Sequence, residues 1–370
     1  MWLDLIFIAA VLLKSLVKRR PTKSLRSTGE ATWFTEKDVD AIVAAGLNTV
    51  RIPVGYWIVE SLVDRSTEYY PRGGMKYLKK GLGWFKQKGI HVMLDHHALP
   101  GVSSANQMYA GRCTSDVQFY TEKNYQRALI WAGVMTALTH IDPDFSSVFA
   151  IEAINEPIMD FNRTPGYGDY QKRFVKVVRM VEYALRVKCP DTDYSKLFSN
   201  SSNTSPDLGF LTIANYTDDK VVIEYNNPPN PADAAIGPQL YDAHLYFSFG
   251  GVADPNADAY MRIICNTDRV KKAVEANNSP LVFGEWSLAT NFNASKEFLY
   301  DWADAQRFIY AGQADGWIFW SFKIEEGSPN IPAWSFFESL KAGYFKNDPS
   351  KLTNPDVCKR WIGNSTATAA

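Results

Sequence analysis

Residues 148–157 read VFAIEAINEP, an apolar run that ends in Asn155, Glu156 and Pro157. The run has the length and composition of a buried strand. Burying a carboxylate at its end is costly unless that carboxylate is paired, protonated or used in chemistry. The segment therefore marks a point where a functional side chain leaves the protein core, and the rest of the chain should show which of the three conditions holds.

Short apolar runs alternate with longer amphipathic segments from residue 35 onward. Thr35 with Asp38 predicts the start of a helix that ends at Gly46. Repeated strand–helix units of this length predict parallel strands joined by helical crossovers. Six strands are clear and a seventh is weak: 47–54, 89–97, 147–155, 239–246, 280–285 and 315–321, with 196–201 as the weak one. Residues 200–240, rich in Asn and Pro, are interpreted as long loops.

Polar or aromatic residues follow the clear strands where a core would not select them. An eight-stranded α/β barrel, the (β/α)8 TIM barrel, collects the carboxyl ends of all its strands at one face. An open sheet brings together only the ends near its switch point. We therefore predict a barrel over residues 32–361. The residues expected to meet in one cleft are Arg51, His96, His97, Asn155, Glu156, His244, Tyr246, Glu285 and Trp320.

Two carboxylates dominate this set, Glu156 and Glu285. A pair of acidic residues is the machinery of glycoside hydrolysis, where one protonates the leaving oxygen while the other attacks or activates water. A structural ion pair is the alternative for either glutamate taken singly. The partly apolar setting of Glu156 should raise its pKa toward that of a general acid.

Composition excludes several other functions. A formal net charge of −1 gives no electrostatic case for binding nucleic acid or anionic membranes. The adjacent His96 and His97 point to opposite sides of a strand, so they cannot ligate one ion together, and we expect no metal. No Gly-rich phosphate loop follows the later strands, and we expect no cofactor. We expect a monomer.

The motifs NTVRIPVGYW, AINEP, HLY, FGEWS and GWIFWSFK occur in this order. They resemble the strand-end motifs of glycoside hydrolase family 5, a (β/α)8 family of retaining enzymes, and the resemblance extends from about residue 32 to residue 358. It implies that Glu156 is the general acid/base and Glu285 the nucleophile. It also implies that Asn155 contacts the sugar 2-hydroxyl.

The same resemblance assigns supporting roles. Arg51 and Tyr246 would keep Glu285 ionised, because a cation and a phenol donor both favour the charged form. His97 and His244 match the family's two site histidines, and Trp320 matches the platform beneath the sugar.

The substrate implied is a β-glucan polysaccharide or oligosaccharide. The motifs are most similar to the fungal and oomycete exo-1,3-β-glucanase branch, which implies a glucan 1,3-β-glucosidase and a Cys265–Cys358 disulfide. The loop at 95–120, DHHALPGVSSANQMYAGRCTSDVQFY, departs from that branch and resembles a fungal subgroup associated with β-1,6-glucan. An endo-β-1,6-glucanase is therefore the alternative, and an inactive sugar-binding relative is a further one. Pairing of Cys113 with Cys189 stays open.

The ends of the chain are less regular. The family's first-strand motif is missing before Thr32, so either residues 3–11 supply that strand or the barrel lacks it. Residues 1–31 are interpreted as an atypical N-terminal segment, a signal-anchor or a misassigned start, and residues 362–370 as a polar tail. Seven N-x-S/T sequons favour a secreted or cell-surface protein.

Overall fold

The fold is a closed parallel barrel in a computed structural model that describes residues 6–10, 33–188, 192–197, 219–229 and 236–363. Eight strands follow one another around the sheet in chain order, and the eighth pairs with the first. The strands are β1 (Ile6–Ala10), β2 (Thr49–Gly55), β3 (His91–Ala98), β4 (Val148–Glu152), β5 (Val221–Tyr225), β6 (Gln239–His244), β7 (Leu281–Trp286) and β8 (Gly316–Phe319).

Helices occupy the connections between these strands as the alternating pattern predicts, except that the described residues between β5 and β6 contain no helix. None of the helices in the described residues is both long enough and apolar enough to cross a membrane. The helices are α1 (Glu36–Ala44), α2 (Gly74–Gln87), α3 (Glu122–Ile141), α4 (Tyr167–Ala184), α5 (Ala257–Cys265), α6 (Arg269–Glu275), α7 (Lys296–Gly312) and α8 (Phe336–Lys341).

The first strand lies where the sequence left two alternatives open. Residues Ile6–Ala10 form β1, which pairs in parallel with β2 and with β8. In this register Ile8 is opposite both Thr49 and Ile318. Ile6–Ala10, within the segment 3–11, thus form the first strand of the barrel in place of the missing family motif. The remaining residues of 1–31 lie outside the described part of the chain.

The fifth strand corrects the sequence interpretation. The weak strand expected at 196–201 is wrong where the structure describes it, because Tyr194–Leu197 form a 3-10 helix and 198–201 lie outside the described residues. The strand is instead Val221–Tyr225, paired with β4, inside the region interpreted as loop. Its three β-branched residues suit a strand, but five residues beside N-N-P-P-N-P give a weak pattern.

The remaining elements match the predicted order, and the first helix begins as its capping pattern indicates. The Thr35 main-chain N–H donates to Asp38 Oδ2 at 2.7 Å, and the Thr35 hydroxyl donates to the same oxygen at 2.9 Å. Side-chain acceptors at this position satisfy main-chain donors that a helix start leaves unpaired. Three predicted strands extend beyond the observed ends, since β4 ends at Glu152, β6 at His244 and β8 at Phe319.

Two compact units can be distinguished by their own packing. The first holds β1, residues 40–51 and the described residues from Asp242 onward, and its core is aromatic. Trp286 packs edge-on against Trp317 and Phe319, with ring centroids 5.3 and 5.0 Å apart. A disulfide joins Cys265 to Cys358, the pair that the family resemblance implies. Cys113 is an exposed free thiol, and Cys189 lies outside the described residues.

The second unit, residues 33–39 and the described part of 52–241, contains a different core. Tyr170 stacks on Tyr125 at 5.1 Å, and both rings meet Phe119 edge-on. A buried ion pair between Arg179 and Glu182 at 2.7 Å lies at the end of α4. The Arg179 guanidinium also donates to three main-chain carbonyls, so four hydrogen bonds stabilise its charge despite burial.

Candidate active site

Glu285 lies on β7 and is 5% exposed. Its two carboxylate oxygens meet different partners. Arg51 Nη1, from β2, donates to Oε1 at 2.9 Å, and the Tyr246 hydroxyl donates to Oε2 at 2.8 Å. His244 Nδ1 lies 3.5 Å from Oε2. A buried carboxylate with a guanidinium and a phenol donor on opposite oxygens is stabilised as the anion.

Asp242 forms the layer beneath Glu285. Its Oδ2 lies 3.6 Å from Arg51 Nη2 and 3.2 Å from His244 Nε2, while Oδ1 accepts from the Gly284 main-chain N–H at 2.7 Å. Arg51 and His244 therefore each contact both carboxylates. This buried network fixes the direction in which both side chains present their nitrogen atoms to Glu285.

Gly284 permits this arrangement because it has no side chain. A Cβ placed on Gly284 would lie 2.0 Å from Asp242 Oδ1 and 2.1 Å from Oδ2. No real Cβ approaches an oxygen atom that closely, so any larger residue would displace the Asp242 carboxylate. Gly284, which precedes Glu285 on β7, must therefore be glycine because the Asp242 side chain of β6 occupies the space of a Cβ.

Glu156 lies in the turn after β4 and is half-buried. Its main chain is left-handed, with φ of +38°, a conformation that residues other than glycine rarely adopt. The turn is held on both sides: the Asn155 N–H donates to the His96 carbonyl at 3.3 Å, and the Ser104 hydroxyl donates to the Glu156 carbonyl at 3.0 Å. Strained backbone that neighbouring contacts hold in place is common at functional sites.

His97 is positioned by a buried aspartate on its own strand. Its Nδ1 lies 2.5 Å from Asp95 Oδ2, and its ring meets the Tyr109 ring edge-on at 5.9 Å. Asp95 and His97 are two residues apart, so both project from the same face of β3. The arrangement repeats on β6, where Asp242 contacts His244 two residues further on.

His96 lies apart from His97, as strand alternation predicts. Its ring is fully buried and stacks on Trp131 of α3, with centroids 3.9 Å apart. Burial lowers the pKa of His96 well below its ordinary value of 6.5, so the ring is neutral. The His96 side chain therefore packs against α3 and not in the expected cleft. Its main-chain carbonyl accepts the hydrogen bond from Asn155 in the turn after β4.

Aromatic side chains follow β6 and β8. Trp320, directly after β8, is half-buried, and its main-chain N–H donates to the Trp286 carbonyl at 2.8 Å. Tyr246 packs against Trp334 at 5.2 Å and meets Phe249 edge-on at 5.6 Å. Rings beside a carboxylate offer flat apolar surface of the kind that the faces of sugars contact.

The Arg51 guanidinium, 2.9 Å from Glu285, places a positive charge beside the Glu285 carboxylate. A divalent ion bound directly to this carboxylate would be repelled by that charge.

The sequence did not predict three residues that support the site by direct contact: Asp242, Gly284 and Ser104. Asp242 had a signal, because the D-x-H spacing occurs on both β3 and β6. Ser104 and Gly284 gave none, since each acts through a contact with a residue that is remote in sequence.

A parallel (β/α)8 barrel that carries one glutamate on β7 and another in the turn after β4 has the arrangement of barrel glycosidases. The family model "Cellulase (glycosyl hydrolase family 5)" matches residues 19–326. The chain therefore belongs to glycosyl hydrolase family 5. It is a glycosidase, and the family together with the curated relatives makes it a glucan hydrolase.

Two curated relatives illustrate the range of similarity. Glucan endo-1,6-beta-glucosidase B of Emericella nidulans is 28% identical over 339 residues, covering 88% of this chain and 75% of the relative. Probable glucan 1,3-beta-glucosidase A of Aspergillus fumigatus is 26% identical over 390 residues, covering 91% and 80%.

Solved structures agree on the fold. The rutinosidase from Aspergillus niger superposes with a TM-score of 0.59 at 18% identity, covering 85% of this chain and 84% of that one. The crystal structure of AoRut gives a TM-score of 0.60 at 17% identity, covering 87% and 84%. The barrel predicted from the strand–helix pattern is confirmed.

Proposed function

We propose that the protein is an endo-acting β-1,6-glucanase that cleaves its substrate by double displacement with retention of configuration. Six curated relatives, each 26–29% identical, carry the name glucan endo-1,6-beta-glucosidase B or its probable form. The loop after β3 resembles the same subgroup. The exo-1,3 activity that the sequence motifs put first is the second candidate, because the 1,3-beta-glucosidase relatives cover 91% of the chain.

Glu285 is proposed as the nucleophile, and its environment is the observation that carries the mechanism. Arg51 and Tyr246 bind one carboxylate oxygen each, which stabilises the anion that must attack the anomeric carbon. Attack forms a covalent glycosyl-enzyme bond and breaks the glycosidic bond. The leaving oxygen needs a proton in the same step.

Glu156 is proposed as the group that donates that proton and then takes one from water. It lies in the turn after β4, within the motif AINEP, which resembles the acid/base motif of the family. Retaining glycosidases hold their two carboxyl groups about 5–5.5 Å apart, whereas inverting enzymes need about 6.5–9.5 Å to admit a water. We propose the shorter, retaining separation for Glu156 and Glu285, which corresponds to direct attack by Glu285.

The remaining strand-end residues are proposed to bind and orient the sugar. Asn155 would contact the 2-hydroxyl, where the hydrogen bond strengthens as positive charge develops on the ring. His97, oriented by Asp95, and His244, oriented by Asp242, would each present a ring nitrogen in a fixed direction. Trp320 would provide the surface beneath the sugar. We propose that neither a metal nor a cofactor takes part.

We also propose that the protein acts outside the cell or at its surface. The Cys265–Cys358 disulfide is suited to an oxidising compartment. Three of the seven sequons, at Asn162, Asn277 and Asn293, lie in the described residues, and all three asparagines are exposed.

The proposal is tested by digesting linkage-defined glucans with purified protein. Pustulan, a β-1,6-glucan, should give a ladder of gentio-oligosaccharides at early times, and laminarin should be cleaved much more slowly. Release of glucose alone from laminarin would replace the proposal with exo-1,3 activity. The first product from pustulan should carry the β-anomer by nuclear magnetic resonance, and an α-anomer formed first would contradict double displacement.

A further inference from the structure

Two loops meet in an aromatic cluster that is continuous with the site. Trp57, after β2, stacks on Tyr70 with centroids 4.1 Å apart and ring planes only 2° from parallel. Gly111, after β3, lies so close that a Cβ there would be 2.9 Å from Trp57 Cζ3. Tyr109, two residues before this glycine, contacts the His97 ring. We call Trp57, Tyr70 and Tyr109, together with Tyr69, the neighbour of Tyr70 in the chain, the aromatic ridge.

The ridge is braced from behind by α3. The Arg127 guanidinium lies 4.8 Å from the centre of the Tyr56 ring, which itself meets Trp57 and Tyr70 edge-on. Arg127 also donates to the Leu62 carbonyl at 2.6 Å and is paired with Glu68 at 2.6 Å. Binding to a surface that is already ordered avoids the entropy cost of fixing loose side chains.

One residue of the ridge, Tyr69, is strongly exposed. Tyr69 is 87% exposed, the largest value for any large hydrophobic residue that the structure describes, and Tyr70 and Tyr109 are half-buried. Tyrosine combines an apolar ring face with a hydroxyl that donates and accepts hydrogen bonds. This chemistry fits a pyranose ring, which has a C–H face and a rim of hydroxyl groups, better than it fits a lipid chain.

We propose that the aromatic ridge is a secondary binding site for glucosyl units of a β-glucan chain that lie several residues from the bond being cleaved. The inference rests on the proposed function and adds that the enzyme prefers polymers to short substrates. Contact through Tyr109 to His97 links the ridge to the site, so one extended chain can occupy both. Binding energy from these remote units then raises kcat/KM for long substrates.

The test compares a polymer with a substrate too short to reach the ridge. For Tyr69→Ala, the ratio of kcat/KM on pustulan to kcat/KM on an aryl β-gentiobioside should fall about fivefold, the loss of one ring stacking contact. Tyr69→Phe should restore most of the ratio because it keeps the ring. Tyr183→Ala, at a tyrosine that is 40% exposed on α4, is the matched control and should leave the ratio at the wild-type value.

Binding is measured separately from catalysis by electrophoresis in gels containing pustulan. In a Glu285→Gln background, Tyr69→Ala should migrate faster than its parent. An unchanged ratio and unchanged migration would overturn the ridge while leaving the hydrolase intact, as would an equal loss on polymer and short substrate. Failure of the unmodified protein to cleave any β-glucan or aryl β-glucoside would instead overturn the proposed function.

Discussion

The surroundings of Glu285 and of Glu156 are built in different ways. Glu285 is fixed through its carboxylate, which receives Arg51 and Tyr246 at 2.9 and 2.8 Å and is 5% exposed. The contacts that hold the Glu156 turn act on main-chain atoms, through Ser104 and the His96 carbonyl, and its side chain is half-buried. The contacts described for Glu285 hold its carboxylate, whereas those described for the Glu156 turn hold its main chain.

This difference matches the two tasks that double displacement requires. A nucleophile must stay ionised, so permanent donors on both oxygens serve it well. A general acid/base must gain and lose a proton in each cycle, and strong cationic partners would hold it in one state. The contacts described for the Glu156 turn fix the position of this residue through its main chain.

The largest effect should come from removing the charge that the Glu285 network holds. Glu285→Gln should lower kcat on every substrate by at least about 10⁴-fold, because the proposed covalent intermediate forms on the Glu285 carboxylate. The measurement is turnover of both pustulan and an aryl β-glucoside. Glu275→Gln, at an exposed glutamate of α6, is the matched control. Retention of a tenth of wild-type activity would remove Glu285 from the mechanism.

Glu156→Gln should have a smaller effect that depends on the substrate. Loss of proton donation should reduce cleavage of natural glucan by about 10²–10⁴-fold. The step that forms the covalent intermediate should be much less affected for an aryl glycoside whose leaving group needs no proton. Pre-steady-state bursts with such a substrate check this, and equal losses on both substrates would contradict the acid role.

The Glu285 surroundings should also be sensitive to packing. Gly284→Ala should lower the free energy of unfolding by about 1–3 kcal/mol, since its Cβ would overlap the Asp242 carboxylate. It should lower activity as well, because Arg51 and His244 depend on Asp242. Gly83→Ala is the control: it lies in α2 with no atom within 4 Å of the added Cβ. Equal stabilities in urea would show that the contact is not as tight as described.

The stability of the protein should depend on pH through His96, whose carbonyl contacts the Glu156 turn. Burial keeps His96 neutral in the folded state, whereas the unfolded chain binds a proton below about pH 6.5, so stability must fall as the pH falls through that value. His96→Phe keeps the stack on Trp131 and removes this loss. Between pH 7.5 and 5, wild type should lose about 2 kcal/mol more stability than the variant.

Urea denaturation across this pH range makes the comparison. His91→Phe, at the exposed first residue of β3, should follow the wild-type curve. Parallel curves for wild type and His96→Phe would mean that His96 protonates in the folded state.

Strands of ordinary length and the convergence of their ends were predictable because local hydrophobic pattern and barrel closure determine them. The short β5 was missed because Val221–Tyr225 lies beside turn residues that dominate its local pattern. β1 was ambiguous because the apolar run around Ile6–Ala10 also resembles a targeting segment. In each case the strand is stabilised by its neighbours in the sheet rather than by a strong local signal.

The positions of the catalytic candidates at strand ends were predictable from the hydrophobic pattern and barrel closure. The residues that contact these candidates, such as Asp95, Asp242 and Gly284, were only partly predictable. The repeated D-x-H spacing on β3 and β6 was available as a signal for Asp95 and Asp242. The need for Gly284 was not, because it arises from the approach of a carboxylate on the adjacent strand. Contacts between residues that are far apart in sequence leave no trace in local pattern.

Trapping the covalent intermediate tests the two-glutamate mechanism most directly. A 2-deoxy-2-fluoro β-glucosyl fluoride, or its gentiobiosyl equivalent, should inactivate the enzyme and add one glycosyl group. Mass spectrometry of the digest should locate that group on Glu285, and Glu285→Gln should take up none. A label on any other residue, or turnover of the reagent without labelling while natural glucan is cleaved, would contradict the assignment of Glu285 as nucleophile.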